Sequence, residues 1–339
     1  MAGGGSTVDL VAAVCRAGAL GFLGCAYSTP DAIRETAAAV RERTDRPYGL
    51  NLFAPQPMPI ASSNPGRMLE ILSDAHAELG IDPPSDAAAS DIAFADQFQA
   101  VLETDAVVFS FTFGLLPPGA VEELRARGMV VCGTATTVEE AVALEAAGVD
   151  AIVAQGSEAG AHRGTFGTSF AAAMIGTVAL VPQVVDAVGI PVIASGGIMD
   201  GRGIAAALAL GAESAQLGTA FLTSDEAGIP AAYKQAILRA QEDQTRITRA
   251  FSGRPARGIV NRLMEEIDGE ADAILPFPRQ NALTRPARTA AARQDRAEYL
   301  SLWAGQGVRM ARRLPAEVLV TQLAEETTRA IERAAGSAT

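Results

Sequence analysis

Short runs of β-branched and apolar residues alternate with amphipathic stretches rich in Ala, Glu and Leu between residues 20 and 222. This alternation is typical of repeated βα units, whose strands run parallel under covering helices. The recognisable strands are residues 20–24, 48–53, 106–112, 130–135, 151–155, 191–195 and 214–218. We therefore predict an α/β protein with the architecture of a (β/α)8 TIM barrel.

The helices between these strands have recognisable starts and ends. Hydroxyl residues followed by early acidic groups mark the starts at Ser6, Thr29 and Thr137, and a further helix covers residues 201–210. Glycines that follow the helical patterns mark the ends. They are Gly18, Gly128, Gly148 and Gly211.

A closed barrel of this type has eight strands, and the sequence supplies seven. The first recognisable element is a glycine-rich turn that leads into a helix, with nothing upstream of Met1. Our hypothesis is that the first strand is missing and that the natural chain begins earlier. The alternatives are an unrecognised strand and a seven-stranded open barrel.

Two regions interrupt the βα rhythm. Residues 54–105 open with APQPMPIASSNPG and continue as two helical patterns, at 66–79 and 86–102, so we predict a helical insertion at the active-site end of the barrel. The segment 223–339 is rich in Ala and Arg, and we expect it to be helical. We predict a barrel over residues 1–222 whose mouth this C-terminal segment covers.

Composition limits the classes of function. A net charge of −12 disfavours a nucleic-acid partner, because phosphate binding requires clustered Lys and Arg. The three cysteines lack paired spacing, so we expect neither disulfides nor a zinc site. No signal-peptide pattern or membrane-length apolar run occurs, which predicts a cytoplasmic protein without a membrane partner. The sequence leaves a homo-oligomer open.

Two glycine-containing loops follow the last two predicted strands, at residues 195–198 (SGGI) and 216–219 (QLGT). In barrels of this kind the corresponding loops often bind phosphate through backbone amides. Each glycine alone could equally serve a turn, but the pair of loops favours a phosphate site.

The loop QGSEAGAHRGTF, at residues 155–166, follows a buried strand. Its glycines permit close approach to a planar ligand, and Gln155 offers a donor and an acceptor to a heterocycle. His162 lies on the catalytic face, where an imidazole that titrates near neutrality exchanges protons or binds an anion. A structural role is the alternative for such a histidine. The other histidine, His76, is expected at the surface.

Asn51, at the end of YGLNLF, is predicted either to contact a cofactor ring or to cap the following turn. The chain contains no nucleotide-triphosphatase, hydrolase-elbow or metal-ligand motif. No side-chain nucleophile is evident either, so a cofactor is expected to carry the difficult step.

These residues resemble the nitronate monooxygenase family, formerly called 2-nitropropane dioxygenases, which are FMN-containing barrel enzymes. The resemblance covers nearly the whole chain. AGALGFLG, YGLNLFAP, CGTATTVEEAVALEAAGVDAIVAQGSEAGAHRGTF and YLSLWAGQG occur in family order and indicate the bacterial class I branch. Residues 1–4 match the end of the Pro-Met-Ala-Gly-Gly turn of the family, which agrees with a missing first strand.

The resemblance implies roles for individual residues. His162 would be the catalytic histidine. It follows Gly160-Ala161 where relatives often have Gly-Gly, and Thr112 stands where some relatives have a second histidine. Tyr299 would close the pocket, and Tyr233 with Lys234 would contact substrate or only cap a helix. The residues implied to bind FMN are Asn51, Gln155, Gly160, Gly197, Gln216, Leu217, Gly218 and Thr219.

The implied reaction is the oxidation of a small-molecule alkyl nitronate, such as propionate 3-nitronate, by O2 to a carbonyl compound and nitrite. The nitronate anion would be attracted by His162 and nearby amides. An FMN-dependent NAD(P)H reductase of quinones or of enoyl-acyl carrier substrates is the first alternative. A non-catalytic barrel that binds a phosphorylated metabolite is the second.

Overall fold

The computed structural model describes residues 3–55, 64–86 and 92–336. Ten strands occur in these residues. In chain order, β1 to β10 are Gly21–Gly24, Tyr48–Phe53, Val108–Thr112, Val130–Ala135, Ala151–Gln155, Ala161–His162, Val192–Ser195, Ser214–Gln216, Thr245–Thr248 and Ala256–Ile259. The seven predicted strands are all present, with bounds within two residues of those expected.

The seven predicted strands form one parallel sheet in the order β1-β2-β3-β4-β5-β7-β8. This is the curled, helix-covered sheet of an α/β barrel, as predicted. β1 and β8 are its two edges, and no strand among the described residues joins them. Residues 1 and 2 lie outside the described part, so the missing first strand stays a prediction.

Thirteen α-helices occur in the described residues. In chain order, α1 to α13 are Val8–Arg16, Pro30–Arg43, Gly66–Glu78, Phe94–Leu102, Ala120–Ala126, Val138–Ala146, Thr177–Ala187, Gly201–Ala209, Thr219–Leu222, Ala231–Arg239, Arg262–Asp268, Arg279–Arg293 and Ala316–Gly336. Short 3₁₀ turns cover Ala271–Ala273, Ala297–Tyr299 and Val308–Met310. No described helix is both long enough and apolar enough to cross a membrane.

The helix starts follow the predicted capping chemistry with one correction. Thr29 and Thr137 accept hydrogen bonds from backbone amides in the first turns of α2 and α6. The cap of α1 is Thr7, however, and not Ser6. The Ser6 hydroxyl instead accepts a hydrogen bond from the Gly24 amide at 2.9 Å, which holds the N-terminal turn against the end of β1.

The two predicted insertion helices are present, but they pack in different places. α4 begins at Phe94, later than the predicted residue 86, and it packs on α2 and β2 as a regular barrel helix. α3 packs instead against α11 and α12 of the C-terminal segment. His76 on α3 is therefore buried rather than exposed as predicted, and its Nδ1 lies 2.6 Å from the Asp82 carbonyl oxygen.

The molecule has two large apolar cores. The first lies between the curled sheet and its helices and includes Ile33, Leu50, Phe109 and Ile152. The second joins α3 to the C-terminal segment, whose helices contribute Ile237, Leu263 and Leu283 among others. All three cysteines are free and buried, as expected.

The C-terminal segment is mostly helical but also contains two strands that the sequence did not predict. β9 and β10 pair antiparallel, and β10 also pairs antiparallel with β6 in the loop that follows β5. This small sheet attaches the C-terminal segment directly to the histidine loop.

Candidate active site

The carboxyl ends of the parallel strands bring several predicted site residues to one end of the sheet. Asn51 lies in β2, opposite Ser110 of β3, and Gln155 ends β5 opposite Ser195 of β7. Ser195 in turn pairs with Gln216 of β8. The ladder therefore places the predicted cofactor residues on adjacent strands, as a TIM-barrel site requires.

His162 is held by Gln155 at the start of its loop and by the C-terminal segment. It pairs with Ala256 through the β6–β10 ladder, and the preceding Ala161 adopts a positive φ of 60°. Its Nε2 lies 2.8 Å from the hydroxyl oxygen of Ser252. Backbone pairing and this contact together fix the ring in place.

Four aromatic rings surround the imidazole. Their centroids lie 5.7–6.2 Å from that of His162. They belong to Phe53, Phe113, Phe277 and Trp303. The histidine therefore stands in a largely apolar pocket with Ser252 as its hydrogen-bonding partner.

Burial lowers the pKa of His162 to about 3, and the positive charges of Arg254 and Arg288 act in the same direction. The imidazole is therefore neutral near pH 7. This corrects the expectation of a group that titrates near neutrality and attracts the nitronate by its charge. A neutral imidazole accepts or donates a proton, while positive potential comes from the two guanidiniums.

Ser252 contacts one nitrogen of the neutral ring and favours one of its two tautomers. Its Oγ lies 3.1 Å from the carbonyl oxygen of Arg254, to which it can donate. With the hydroxyl hydrogen used there, His162 Nε2–H donates to Ser252 and Nδ1 is left as the proton acceptor. The sequence analysis did not identify Ser252, which contacts His162 across 90 positions of the chain.

Arg254 follows Ser252 and also borders the pocket. Its guanidinium carbon lies 3.8 Å from the centroid of Phe113, and its Nη2 donates to the Thr165 carbonyl at 2.5 Å. It also lines a cleft of about 350 Å³ together with Arg163, Arg249 and Phe277, among other residues. This side of the site is strongly cationic.

Gln155 supports the histidine loop with both ends of its amide. Nε2 donates to the His162 carbonyl at 3.2 Å, and Oε1 accepts from the Gly164 amide at 2.8 Å. The backbone carbonyl of Gln155 accepts from the buried Arg163 guanidinium. Gln155 is thus a positioning residue, and its contact with a cofactor stays a prediction.

Asn51 has an unused acceptor. Nδ2 donates to the hydroxyl of Ser110 at 2.8 Å, whereas Oδ1 accepts no hydrogen bond in the described part of the chain. Within the described residues the side chain therefore makes no capping contact, and both alternatives for Asn51 stay predictions because residues 56–63 of the following turn lie outside the described part. Its free oxygen suits a donor on a bound ring.

The two predicted phosphate loops present glycine backbone at the same end of the sheet. Gly196 and Gly197 have positive φ values of 112° and 73°, which glycine adopts without strain. The space around Gly218 is open, with no atom within 4 Å of an added Cβ. Within the described residues, the Gly197 and Gly218 amides donate no backbone hydrogen bond outside the regular elements. This donor set fits a phosphate group.

The WAGQG segment of the C-terminal region packs on these loops. The Gly305 amide donates to Thr219 Oγ1 at 3.0 Å, and the Gln306 amide donates to the Glu158 carbonyl at 2.9 Å. A Cβ on Gly160 would lie 2.5 Å from Gly305 N, so glycine is required there for this contact.

Tyr233, Lys234 and Tyr299 each hydrogen-bond within the protein, and their contact with substrate stays a prediction. Tyr233 donates to the Trp303 carbonyl at 2.7 Å, so it supports a pocket wall. The Lys234 ammonium donates to the Ser224 carbonyl at 2.6 Å, just beyond the C-terminal end of α9. Tyr299 is fully buried and donates to Glu78 Oε2 at 2.5 Å. This contact does not support the predicted position of Tyr299 beside the substrate.

Known proteins are similar to this chain in sequence and in architecture. The profile of the nitronate monooxygenase family matches residues 1–326. A probable nitronate monooxygenase from Staphylococcus saprophyticus is 40% identical over 332 residues, covering 97% of this chain and 94% of the relative. A counterpart from Staphylococcus aureus is 40% identical over 321 residues, covering 94% of this chain and 90% of the relative.

Solved structures extend the match to the fold. Nitroalkane oxidase from Streptomyces ansochromogenes superposes with a TM-score of 0.91 at 44% identity, over 98% of this chain and 95% of that one. FabK from Thermotoga maritima superposes with a TM-score of 0.77 at 29% identity, over 99% of this chain and 93% of that one. The chain therefore belongs to the nitronate monooxygenase family and is an oxidoreductase.

Proposed function

We propose that this protein uses FMN to oxidise alkyl nitronates, such as propionate 3-nitronate, with O2 to a carbonyl compound and nitrite. The observation that carries the proposal is the neutral His162 in an aromatic pocket whose nearby charges are the guanidiniums of Arg254 and Arg288. Such a pocket attracts an anion and leaves the histidine free to handle a proton. Two nitronates and one O2 balance to two carbonyl compounds and two nitrites.

The residues present fit the proposed cofactor. The loops at Gly196–Gly197 and Gln216–Thr219 would hold its phosphate through backbone amides, and Asn51 Oδ1 would accept from the ring. Gly160 and Gln155 would border the ring, with Gln155 acting chiefly by fixing the histidine loop. When bound, FMN supplies an electron acceptor for the substrate and a site of reaction with O2.

The chain's own residues bind and orient the substrate. The guanidiniums attract the nitronate, the four rings line the pocket around His162, and Ser252 fixes the imidazole. With a neutral nitroalkane, His162 Nδ1 accepts the α-proton, which converts the substrate to the nitronate. With a preformed nitronate this proton transfer is not needed.

We also propose a separate role for each of the two parts of the chain. Residues 1–222 would form the FMN-binding barrel, and residues 223–339 would cover its mouth. The hydrogen bond from Gly305 to Thr219 and the β6–β10 pairing support this assignment, because both attach the C-terminal segment to the site loops.

An anaerobic reduction experiment tests the proposal. The FMN-loaded protein is mixed without O2 with propionate 3-nitronate, or with NADH or NADPH, and the flavin absorbance is followed. We expect rapid bleaching by the nitronate, and equal amounts of nitrite and carbonyl product after O2 is admitted. Rapid bleaching by a reduced nicotinamide with none by the nitronate would establish the reductase alternative instead. A protein that takes up no FMN would favour the non-catalytic barrel.

A further inference from the structure

The cleft of about 350 Å³ adjoins the pocket of His162. Its lining includes the exposed residues Thr168 and Arg249 and the buried Arg163, so it reaches from solvent into the protein. Phe277 lies in the wall of the cleft, and its ring centroid is 6.0 Å from that of His162. The same aromatic ring therefore borders both the cleft and the pocket.

The same two chain segments build the cleft and the pocket. Arg163 follows His162 directly, and its amide donates at 3.0 Å to the carbonyl of Pro255, another residue of the cleft wall. The guanidinium carbon of Arg254, also in the wall, lies 3.8 Å from the ring centroid of Phe113. That ring is 5.8 Å from the ring of His162. The cleft is thus one aromatic ring away from the histidine at two places.

The charged groups that line the cleft are all cationic. Arg163, Arg249 and Arg254 contribute three guanidiniums, and the described lining residues include no Asp or Glu. Burial lowers the pKa of Arg163 and that of Arg254 to about 10, so both side chains stay charged near neutral pH. The chain as a whole carries a net charge of −12, which repels anions at long range. The cleft is therefore a local exception to the charge of the molecule.

Arg163 is held in place with part of its donor capacity unused. Its Nη1 and Nη2 donate to the carbonyl oxygens of Gln155 and Ala173. Its Nε is buried and has no hydrogen-bond partner among the described residues. In the same part of the chain, neither Arg163 nor Arg249 forms an ion pair. A buried charge without a direct counter-ion is costly, and a ligand of opposite charge offsets that cost.

The carboxylates whose charges act on these arginines are bound by other groups. They are Glu140 and Glu158. Glu140 Oε1 accepts from the amides of Phe166 and Gly167 at 2.6 and 2.8 Å. Glu158 Oε2 accepts from the Thr177 amide at 2.9 Å. Neither carboxylate lines the cleft, so the lining presents positive charge to an anion that enters from solvent.

We propose that this cleft is the entry site for the anionic nitronate, where the guanidiniums bind the anion from solvent before it passes Phe277 to reach His162. The inference rests on the proposed function. A volume of about 350 Å³ accommodates a small organic anion, because one water occupies only about 30 Å³. A cationic cleft raises the association rate of an anion, and the gain falls as salt screens the charges. A neutral nitroalkane receives no such gain.

The kinetic test compares two substrates that differ by one proton. Propyl-1-nitronate is the conjugate base of 1-nitropropane, so their carbon skeletons match and their charges differ. For the FMN-loaded wild type, kcat/KM for the nitronate should fall at least about 10-fold between about 0.01 M and about 1 M NaCl, because the screening length shortens from about 30 Å to about 3 Å. Over the same range, kcat/KM for 1-nitropropane should change less than about 2-fold.

Variants of Arg249 test the role of the cleft itself. Arg249 is exposed, and its Nε donates to the Gly253 carbonyl at 3.2 Å. Arg249→Gln should lower kcat/KM for the nitronate by about 3- to 10-fold at low salt and flatten its salt dependence, with kcat within about 2-fold, as for a charge at the rim of a binding site. Arg249→Glu should lower it further, and Arg249→Lys should retain the wild-type value.

Arg239→Gln is the matched control. It removes the same charge at an exposed position at the end of α10, outside the cleft lining, and should behave as wild type. An equal loss for the nitronate and for 1-nitropropane in Arg249→Gln would overturn the proposal. The same loss in Arg239→Gln as in Arg249→Gln would overturn it too, because net charge and not the cleft would then be responsible.

Quenching of Trp303 fluorescence measures anion access without turnover. Trp303 is the single tryptophan of the chain, and its ring centroid lies 5.7 Å from that of His162. Iodide and acrylamide both quench tryptophan on contact, but only iodide is charged. In FMN-loaded Arg249→Gln at low salt, the quenching constant of iodide should be about 2- to 3-fold lower than in wild type, and that of acrylamide should be unchanged. Equal iodide quenching in the two proteins would overturn the binding of anions by the cleft.

The proposed function and this inference fail separately. Iodide quenching that depends on Arg249, in a protein that oxidises no nitronate, would refute the proposed function alone. Nitronate oxidation with the same kcat/KM in wild type and Arg249→Gln, at low and at high salt, would refute the inference alone.

Discussion

Removing the imidazole of His162 should make the stability of the protein less sensitive to acid. Burial lowers the pKa of this group to about 3 in the folded protein, whereas a free histidine titrates near about 6.5. As the pH falls below about 6.5, the unfolded chain takes up a proton that the folded protein refuses until the pH approaches 3. Folding stability is therefore lost as the pH falls through this window.

The magnitude follows from the two pKa values. A pH of 5 lies about 1.5 units below the pKa of the imidazole in the unfolded chain. Each unit corresponds to about 1.36 kcal/mol in the free energy of unfolding. Wild type should therefore lose about 2 kcal/mol between pH 8 and pH 5 through His162 alone. His162→Gln should not show this component, because glutamine does not titrate.

Urea unfolding followed by Trp303 fluorescence measures the effect at both pH values. The free energies of unfolding of wild type and His162→Gln are compared at each pH, so that the other titrating groups cancel. The acid-induced loss should be larger in wild type by about 2 kcal/mol. Equal losses in the two proteins would show that the imidazole titrates near its ordinary pKa, which would refute the argument for a neutral histidine.

Substitutions at three positions probe the rest of the site. Gly218→Leu should abolish FMN retention, which is measured as loss of flavin absorbance. Gly218→Ala should leave folding unchanged, because an added Cβ meets open space. Retention of FMN by the leucine variant would contradict the assignment of this loop to the phosphate. Gly160→Ala should lower the free energy of unfolding by about 1–3 kcal/mol, because its Cβ would strike Gly305 backbone; an unchanged urea midpoint would count against this contact. Ser252→Ala should slow turnover of a neutral nitroalkane by about 10-fold and that of the preformed nitronate much less; equal slowing of both would remove the tautomer argument.

The barrel strands could be predicted because their signals are local. The strands are short β-branched runs, which are apolar because both faces of the sheet are buried. Helices with recognisable caps alternate with them, as at Thr29 and Thr137. β9 and β10 were missed because β9 pairs with β10, whose other partner is the histidine loop about a hundred positions earlier. The burial of His76 was missed for the same reason, since it depends on the packing of α3 against distant helices.

The candidate site was predictable only where it lies at strand ends. Asn51, Gln155 and His162 follow or end recognisable strands, so their clustering follows from the barrel rule. Ser252 and Arg288 come from the C-terminal segment, which has no strand periodicity to place them. The contact of Ser252 with His162 forms only in the tertiary fold, and so does the burial that lowers the pKa of the histidine.

The most direct test of the account is the turnover of a neutral nitroalkane by His162→Ala at saturating FMN, compared with the turnover of preformed propionate 3-nitronate. Because the loops proposed to hold the phosphate lie on other strands, this variant should retain its flavin absorbance. Turnover of the neutral nitroalkane should fall by about 10²- to 10⁴-fold, the usual contribution of a positioned acid–base group. Turnover of the preformed nitronate, which needs no proton transfer from carbon, should fall much less. A flavin-loaded variant with wild-type nitrite production from the nitroalkane would contradict the central role of His162.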